Sequence, residues 1–121
     1  MSNSTIAKKC KLAKGFLPSF TPEIYTLSVY TSLASVYSFV SITGNNFLPN
    51  GITYVNFGNF KNIPVTYMSS FNIAFVVPTN APIGSYNVVV VNNYSSNFSS
   101  NINNFFNQNL NFSNNIGYTL T

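Results

Sequence analysis

From Glu23 onward the apolar residues of this chain recur at every second position in short runs, each closed by Gly, Pro or Asn. In "FVSITG", Val40 and Ile42 fall on one side while Ser41 and Thr43 fall on the other. "YVNFG" repeats this with Val55 and Phe57, "NIAFVVP" with Ile73, Phe75 and Val77, and "GSYNVVVV" with Tyr86, Val88 and Val90. Successive side chains of a strand point to opposite faces, so each run offers one face to a core and one to water. The residues that fill these runs, Val, Ile, Tyr, Phe and Thr, are those that pack well on a pleated surface. The spacing predicts strands over 23–30, 36–43, 52–57, 62–67, 71–77, 84–92 and 104–112, with a last piece over 116–120. No helix of ordinary length is expected. About seven short strands at this spacing predict an all-β, two-sheet sandwich.

Local chemistry adds punctuation to that frame. "LPNG", residues 48 to 51, offers Pro49 at the second turn position, Asn50 with its tolerance of positive φ, and then Gly51, which predicts a turn between paired strands. At 121 residues the chain suits one domain with a real two-layer core. Its first twenty residues end in "GFLPSFTPE", where Pro18 and Pro22 discourage helix continuation. The expected division is a basic N-terminal arm over 1–21 and the sandwich over 22–121. Within the arm, Ile6, Cys10 and Ala13 share a face if residues 6–12 form a short amphipathic helix.

Charge is the second constraint. Only 5% of the residues are charged, against about a quarter in ordinary globular domains. The five basic residues are Lys8, Lys9, Lys11, Lys14 and Lys61, and the one acid is Glu23. Four of the lysines lie in the arm, so the body is formally neutral. A small soluble domain usually keeps net charge and many mixed surface charges to resist association, so this body is expected to work within an assembly. Asn, Phe, Tyr and Ile all have AT-rich codons, but so does Lys, which the body nearly lacks; codon bias alone does not account for the missing charge. No apolar run reaches the roughly 18 residues that span a bilayer. The start "MSNSTIAKKCKLAKGFLP" has lysines without a following apolar stretch and is not expected to act as a secretory signal, and Ser2 excludes N-myristoylation. Cys10, the sole cysteine, is read as a free thiol in a reducing compartment, although its lysine neighbours favour the thiolate.

Four pieces in order then carry a family resemblance: "VSITGNNF" at 40–47, "VNFG" at 55–58, "NIAFVVP" at 72–78 and "APIGSYNVVVVN" at 81–92. Together they resemble the Ig-like, plexin and transcription-factor domains, the IPT/TIG family, whose pattern has a strand ending in Gly-x-x-Phe and a later strand closed by Pro. The resemblance covers about 22–92 and implies an Ig-like sandwich. The Asn-rich tract after Asn92 and the basic arm depart from that pattern. In "NNYSSNFSSNINNFFNQNLNFSNN", 92–115, residues such as Phe98, Ile102, Phe105, Phe106, Leu110 and Phe112 supply packing material, and a long hairpin or edge extension is expected. Exposed edges of uncharged strands invite pairing with another chain.

Catalysis needs groups that this chain lacks. General acid–base work uses His or tuned carboxylates, and the chain has no His or Asp. A Ser nucleophile would have no base, and a metal would find few ligands. The chain is therefore expected not to be an enzyme, and no cofactor or metal is expected. The sequons at Asn3, Asn93, Asn97 and Asn111 are what this many Asn, Ser and Thr give by chance. DNA-binding domains of the resembling family reach nucleic acid from sandwich loops, which needs Arg or Lys; Lys61 alone does not supply them. The arm's lysines could neutralise a few phosphates, or dock on an acidic protein neighbour.

The expected role is structural: a module fixed among neighbouring proteins by strand edges, aromatic contacts and the arm. Asn-rich IPT/TIG-like chains are similar to proteins of large DNA viruses of protists, and that similarity implies a minor capsid component, located in the virion and assembled in the host cytoplasm. The partner-binding residues expected on this basis are Lys8, Lys9, Lys11, Lys14, Phe98, Phe105 and Phe106. The alternative is a surface-displayed adhesion or glycan- and protein-binding module that uses the uncharged loops at 44–51 and 78–84, where Tyr and Asn suit such contacts. Nucleic-acid contact through the arm ranks last.

Overall fold

The computed structural model describes residues 21–49, 51–93 and 110–121. All of its regular structure is strand: β1 (Glu23–Leu27), β2 (Thr31–Ser32), β3 (Phe39–Asn45), β4 (Thr53–Phe57), β5 (Phe60–Pro64), β6 (Thr66–Ser69), β7 (Asn72–Val76), β8 (Gly84–Asn93), β9 (Leu110–Phe112) and β10 (Ile116–Leu120). They form a four-stranded sheet in the order β1-β3-β7-β6 and a six-stranded sheet in the order β2-β10-β8-β4-β5, with β9 also paired to β8. The ten segments lie on seven lengths of chain, because three lengths are each divided in two. The expectation of about seven strands in an Ig-like sandwich holds in that form.

Each division has a physical cause. The strand expected over 23–30 leaves the smaller sheet after Leu27, and Thr31–Ser32 pairs parallel with β10 in the larger sheet. The single strand expected over 62–67 straddles a second crossing: β5 pairs with β4 in the larger sheet and β6 with β7 in the smaller, with Val65 turned into the core between them. Pro64, which has no N–H to donate, stands at that crossing. The third division is a bulge. Val91 faces Phe112 but Val88 faces Ile116, so β9 and β10 are one length of chain beside β8 with one extra residue between them.

The turn expected at 48–51 also needs correction. Its hydrogen bond runs from the Ile52 N–H to the Pro49 carbonyl at 3.1 Å, one residue later than the Pro-second pattern predicts, and Gly51 takes φ 96°. β3 and β4 do not pair. The turn carries the chain from one sheet to the other, because β3 is already flanked by β1 and β7, and β4 by β8 and β5.

The core lies between the sheets where the alternation places it. Val40, Ile42, Val55, Phe57, Ile73, Phe75, Val77, Val88 and Val90 are all buried. Phe57 stacks on Tyr86 with centroids 4.5 Å apart and meets the edge of Tyr118 at 5.6 Å. The Tyr86 hydroxyl donates back to the Pro82 carbonyl, the tyrosine corner of Ig-like folds. Gly44 explains the Gly-x-x-Phe spacing, since a Cβ there would stand 1.9 Å from the Glu23 carbonyl oxygen and 2.7 Å from the Phe47 ring. Only a bare Cα lets β1 pass this closely over β3.

Candidate functional site

Strand register sorts the larger sheet into two faces. Val88, Val90 and Asn92 of β8 point inward, which leaves Asn87, Val89, Val91 and Asn93 on the outer face. Asn56 of β4 pairs with Val89, and Phe112 of β9 with Val91, so these side chains share that outer face. On it lie two adjoining depressions of about 340 Å³ and about 300 Å³. Both are lined by Asn56, Lys61 and Phe112, so they form one trough across β5, β4, β8 and β9.

The floor of the trough is built by two bulges. Between β4 and β5 the register shifts, so that Lys61 and Asn62 together oppose Asn56. Asn62 takes φ 57°, a left-handed conformation that Asn tolerates better than most residues. Its N–H then donates to the Asn56 side-chain oxygen at 2.9 Å in place of a ladder bond. Asn56 is only 9% exposed, while the bulge turns Lys61 onto the same trough. Bulges commonly re-aim a side chain in this way.

The second bulge, 113–115, separates two asparagines. Asn115 opens onto the trough. Asn114 reaches the other sheet, where its oxygen accepts from the Ile24 N–H at 2.9 Å and its nitrogen donates to the Ile24 carbonyl at 3.1 Å. The side-chain amide so occupies the outward backbone groups of an edge strand. Ser113 holds the bulge closed: its N–H donates to the Val90 carbonyl and its hydroxyl accepts from the Val90 N–H.

Hydrophobic exposure is heaviest away from the trough. Val29, Leu33, Val36, Tyr37, Phe39 and Ile83 are all exposed in the segments at the Pro82 end of the sandwich. On the trough itself Phe112 is 53% exposed and Leu110 40%. Lys61 and Glu23 are the two charged side chains among the described residues, and they stand in different sheets. Among the described residues there is no group of three or more metal-ligating side chains, and no helix long and apolar enough to cross a membrane.

The partner residues read from the sequence, Lys8, Lys9, Lys11, Lys14, Phe98, Phe105 and Phe106, lie outside the described residues, as do the helix expected over 6–12 and most of the strand expected over 104–112. What is described of the Asn-rich tract pairs antiparallel, Asn93 with Leu110 and Val91 with Phe112. The two loops expected to share a binding role are not brought together. Of the first, residues 44–49 lie with the 70–71 turn at the Thr21 end, where the β1 and β7 starts meet the end of β3. Loop 77–83 lies at the opposite end, beside the start of β8.

Sequence reading missed Asn56. It is one asparagine among many, and the usable signal was its neighbour Lys61, the lone cation of the body, set within a strand.

A family model described as the IPT/TIG domain matches residues 22–113, about three quarters of the chain. The chain belongs to the IPT/TIG family. No curated protein and no solved structure matches it. The IPT/TIG match ends inside the 113–115 bulge, and β10 continues the same length of chain beside β8. IPT/TIG domains are in general Ig-like binding modules without catalytic activity of their own, and among the described residues the outer face of the larger sheet carries the two adjoining depressions.

Proposed function

We propose that this IPT/TIG chain is a non-enzymatic structural module that docks on neighbouring proteins through the outer face of its larger sheet. The observation that carries the reading is the trough itself, a concave, largely uncharged surface with an exposed aromatic ring at one wall. The working unit in this reading is 22–121. The arm, 1–21, is a tether whose Lys8, Lys9, Lys11 and Lys14 bind an acidic neighbour, with Phe98, Phe105 and Phe106 as further partner-binding residues.

The finer form of the reading is a minor capsid component of a large DNA virus, assembled in the host cytoplasm and carried in the virion. The neutral, Asn-rich body supports it, because a module held permanently among neighbours has little need of surface charge. A surface-displayed adhesion module is supported by the same exposed face, and the two readings separate by where the chain is found.

The lysine distribution makes the test direct. Zero-length carbodiimide coupling of the native particle or complex, which joins a lysine amine to a carboxylate in contact with it and is read by mass spectrometry, reports the face through Lys61 and the arm through the other four lysines. Links from Lys61 to another protein are expected. A chain recovered free, with no link from Lys61, overturns the reading; a chain absent from purified virions overturns its finer form.

A further inference from the structure

We propose that the trough takes a carboxylate, the Asp or Glu side chain of a protein neighbour, between the Asn56 amide and the Lys61 ammonium. The inference rests on the docking role of this face and names the chemistry it recognises.

The Asn62 N–H is a donor, so the atom of Asn56 that meets it must be the oxygen; the side chain cannot be flipped without setting donor against donor. The Asn56 nitrogen is therefore the atom of the amide that β5 does not hold. Among the described residues nothing accepts from it, although the side chain is nine-tenths buried and lines both halves of the trough. Buried amide donors are almost always paired, which makes this one a vacancy for an acceptor.

Charge decides which acceptor. Lys61 lines the same trough and has no ion-pair partner among the described residues, since the one carboxylate side chain there, Glu23, is on β1 in the other sheet. A fixed neutral donor beside a free cation complements an anionic oxygen better than a carbonyl, because charge-assisted hydrogen bonds are shorter and stronger than neutral ones. Val89 and the exposed Phe112 ring supply an apolar wall for the methylenes that carry the carboxylate. Such a contact is weak alone and specific, as a positioning contact in an assembly is.

The probe is the acetylated, amidated tripeptide leucyl-glutamyl-leucine, titrated into the isotopically labelled full chain and followed by amide NMR. The Asn56 side-chain amide is expected to shift, and the glutaminyl counterpart to bind about tenfold more weakly or less. Asn56→Asp keeps an oxygen for the Asn62 N–H while replacing the donor with an anion, and is expected to abolish the shift. Lys61→Met, at an exposed position that folding does not need, is expected to weaken binding about tenfold, and binding of the parent to fall as salt rises. Equal binding of the two peptides, or binding by Asn56→Asp at parental strength, overturns the proposal. Tighter binding of free N-acetylneuraminic acid than of the peptide overturns its protein source. If Lys61 cross-links to neighbours while the glutamyl peptide fails, this inference falls alone; if the peptide binds but Lys61 never cross-links, the docking role of the face falls.

Discussion

Asn92 and Asn56 are both buried asparagines of the larger sheet, on adjacent strands, yet they face opposite ways and live in opposite states. Asn92 points into the sandwich near the Thr21 end and is wholly buried. Its oxygen accepts from the Thr53 hydroxyl at 2.6 Å, and its nitrogen donates to the Asn46 carbonyl at 3.0 Å. Thr53 in turn accepts from the Leu48 N–H at 2.7 Å, and Asn46, at φ 63°, donates to the Thr21 carbonyl. This closed network fastens the connection between the sheets. Asn56, on the outer face, has its oxygen engaged and its nitrogen open. A buried amide with every atom engaged holds a fold together, whereas one left half open at a concave surface waits for something else.

The sharpest way to break that contrast is Asn92→Leu. The substitution keeps roughly the volume but strands the Asn46 carbonyl, which is partly buried, and removes the acceptor of the buried Thr53 hydroxyl. Each such group costs about 1 to 3 kcal/mol, so a loss of about 3 kcal/mol or more is expected. It should be read as a lower urea midpoint with an unchanged slope. A neutral Asn92→Leu would mean that the network decorates the fold without supporting it.

Asn114→Ala is the next test, because Asn114 satisfies backbone groups across the sheets without being buried itself. Its loss exposes the Ile24 N–H and carbonyl to water at an edge, so part of the cost is recovered by hydration. A loss of about 1 to 2 kcal/mol is expected. Faster hydrogen exchange at the Ile24 amide should accompany it, by more than the factor by which the global loss speeds the β4 and β8 amides.

These two asparagines also mark where sequence reading stops. Period-two spacing showed which side of Val40, Ile42, Phe75 or Val88 meets the core, because alternation is a local property of a strand. It carried no information on which sheet a strand joins, so the crossings after Leu27 and at Val65 read as uninterrupted strands, and Pro49–Gly51 read as a hairpin. Gly44 and Phe47 were legible as a spaced pair before the passage of β1 over Gly44 gave their reason. The trough was not legible. It depends on a left-handed Asn62 and on which of many asparagines stands on the outer face of the larger sheet, both set by long-range register.

Asn56→Leu brings the smallest effect and tests the comparison most closely. Leucine removes the acceptor of the Asn62 N–H, but β5 is an edge strand and Asn62 is exposed, so water can replace that bond. The added methyl groups lie beside Val89 and the Phe112 ring, and each buried CH₂ returns about 0.8 kcal/mol. The vacant donor, which stabilises nothing in the free protein, disappears at no cost. A net change within about 1 kcal/mol is expected, against the loss of about 3 kcal/mol at Asn92, both measured by urea unfolding under the same conditions. Equal losses at the two positions would mean that the Asn56 amide serves the fold as Asn92 does, and the trough would then lose its claim to be a site left open for a partner.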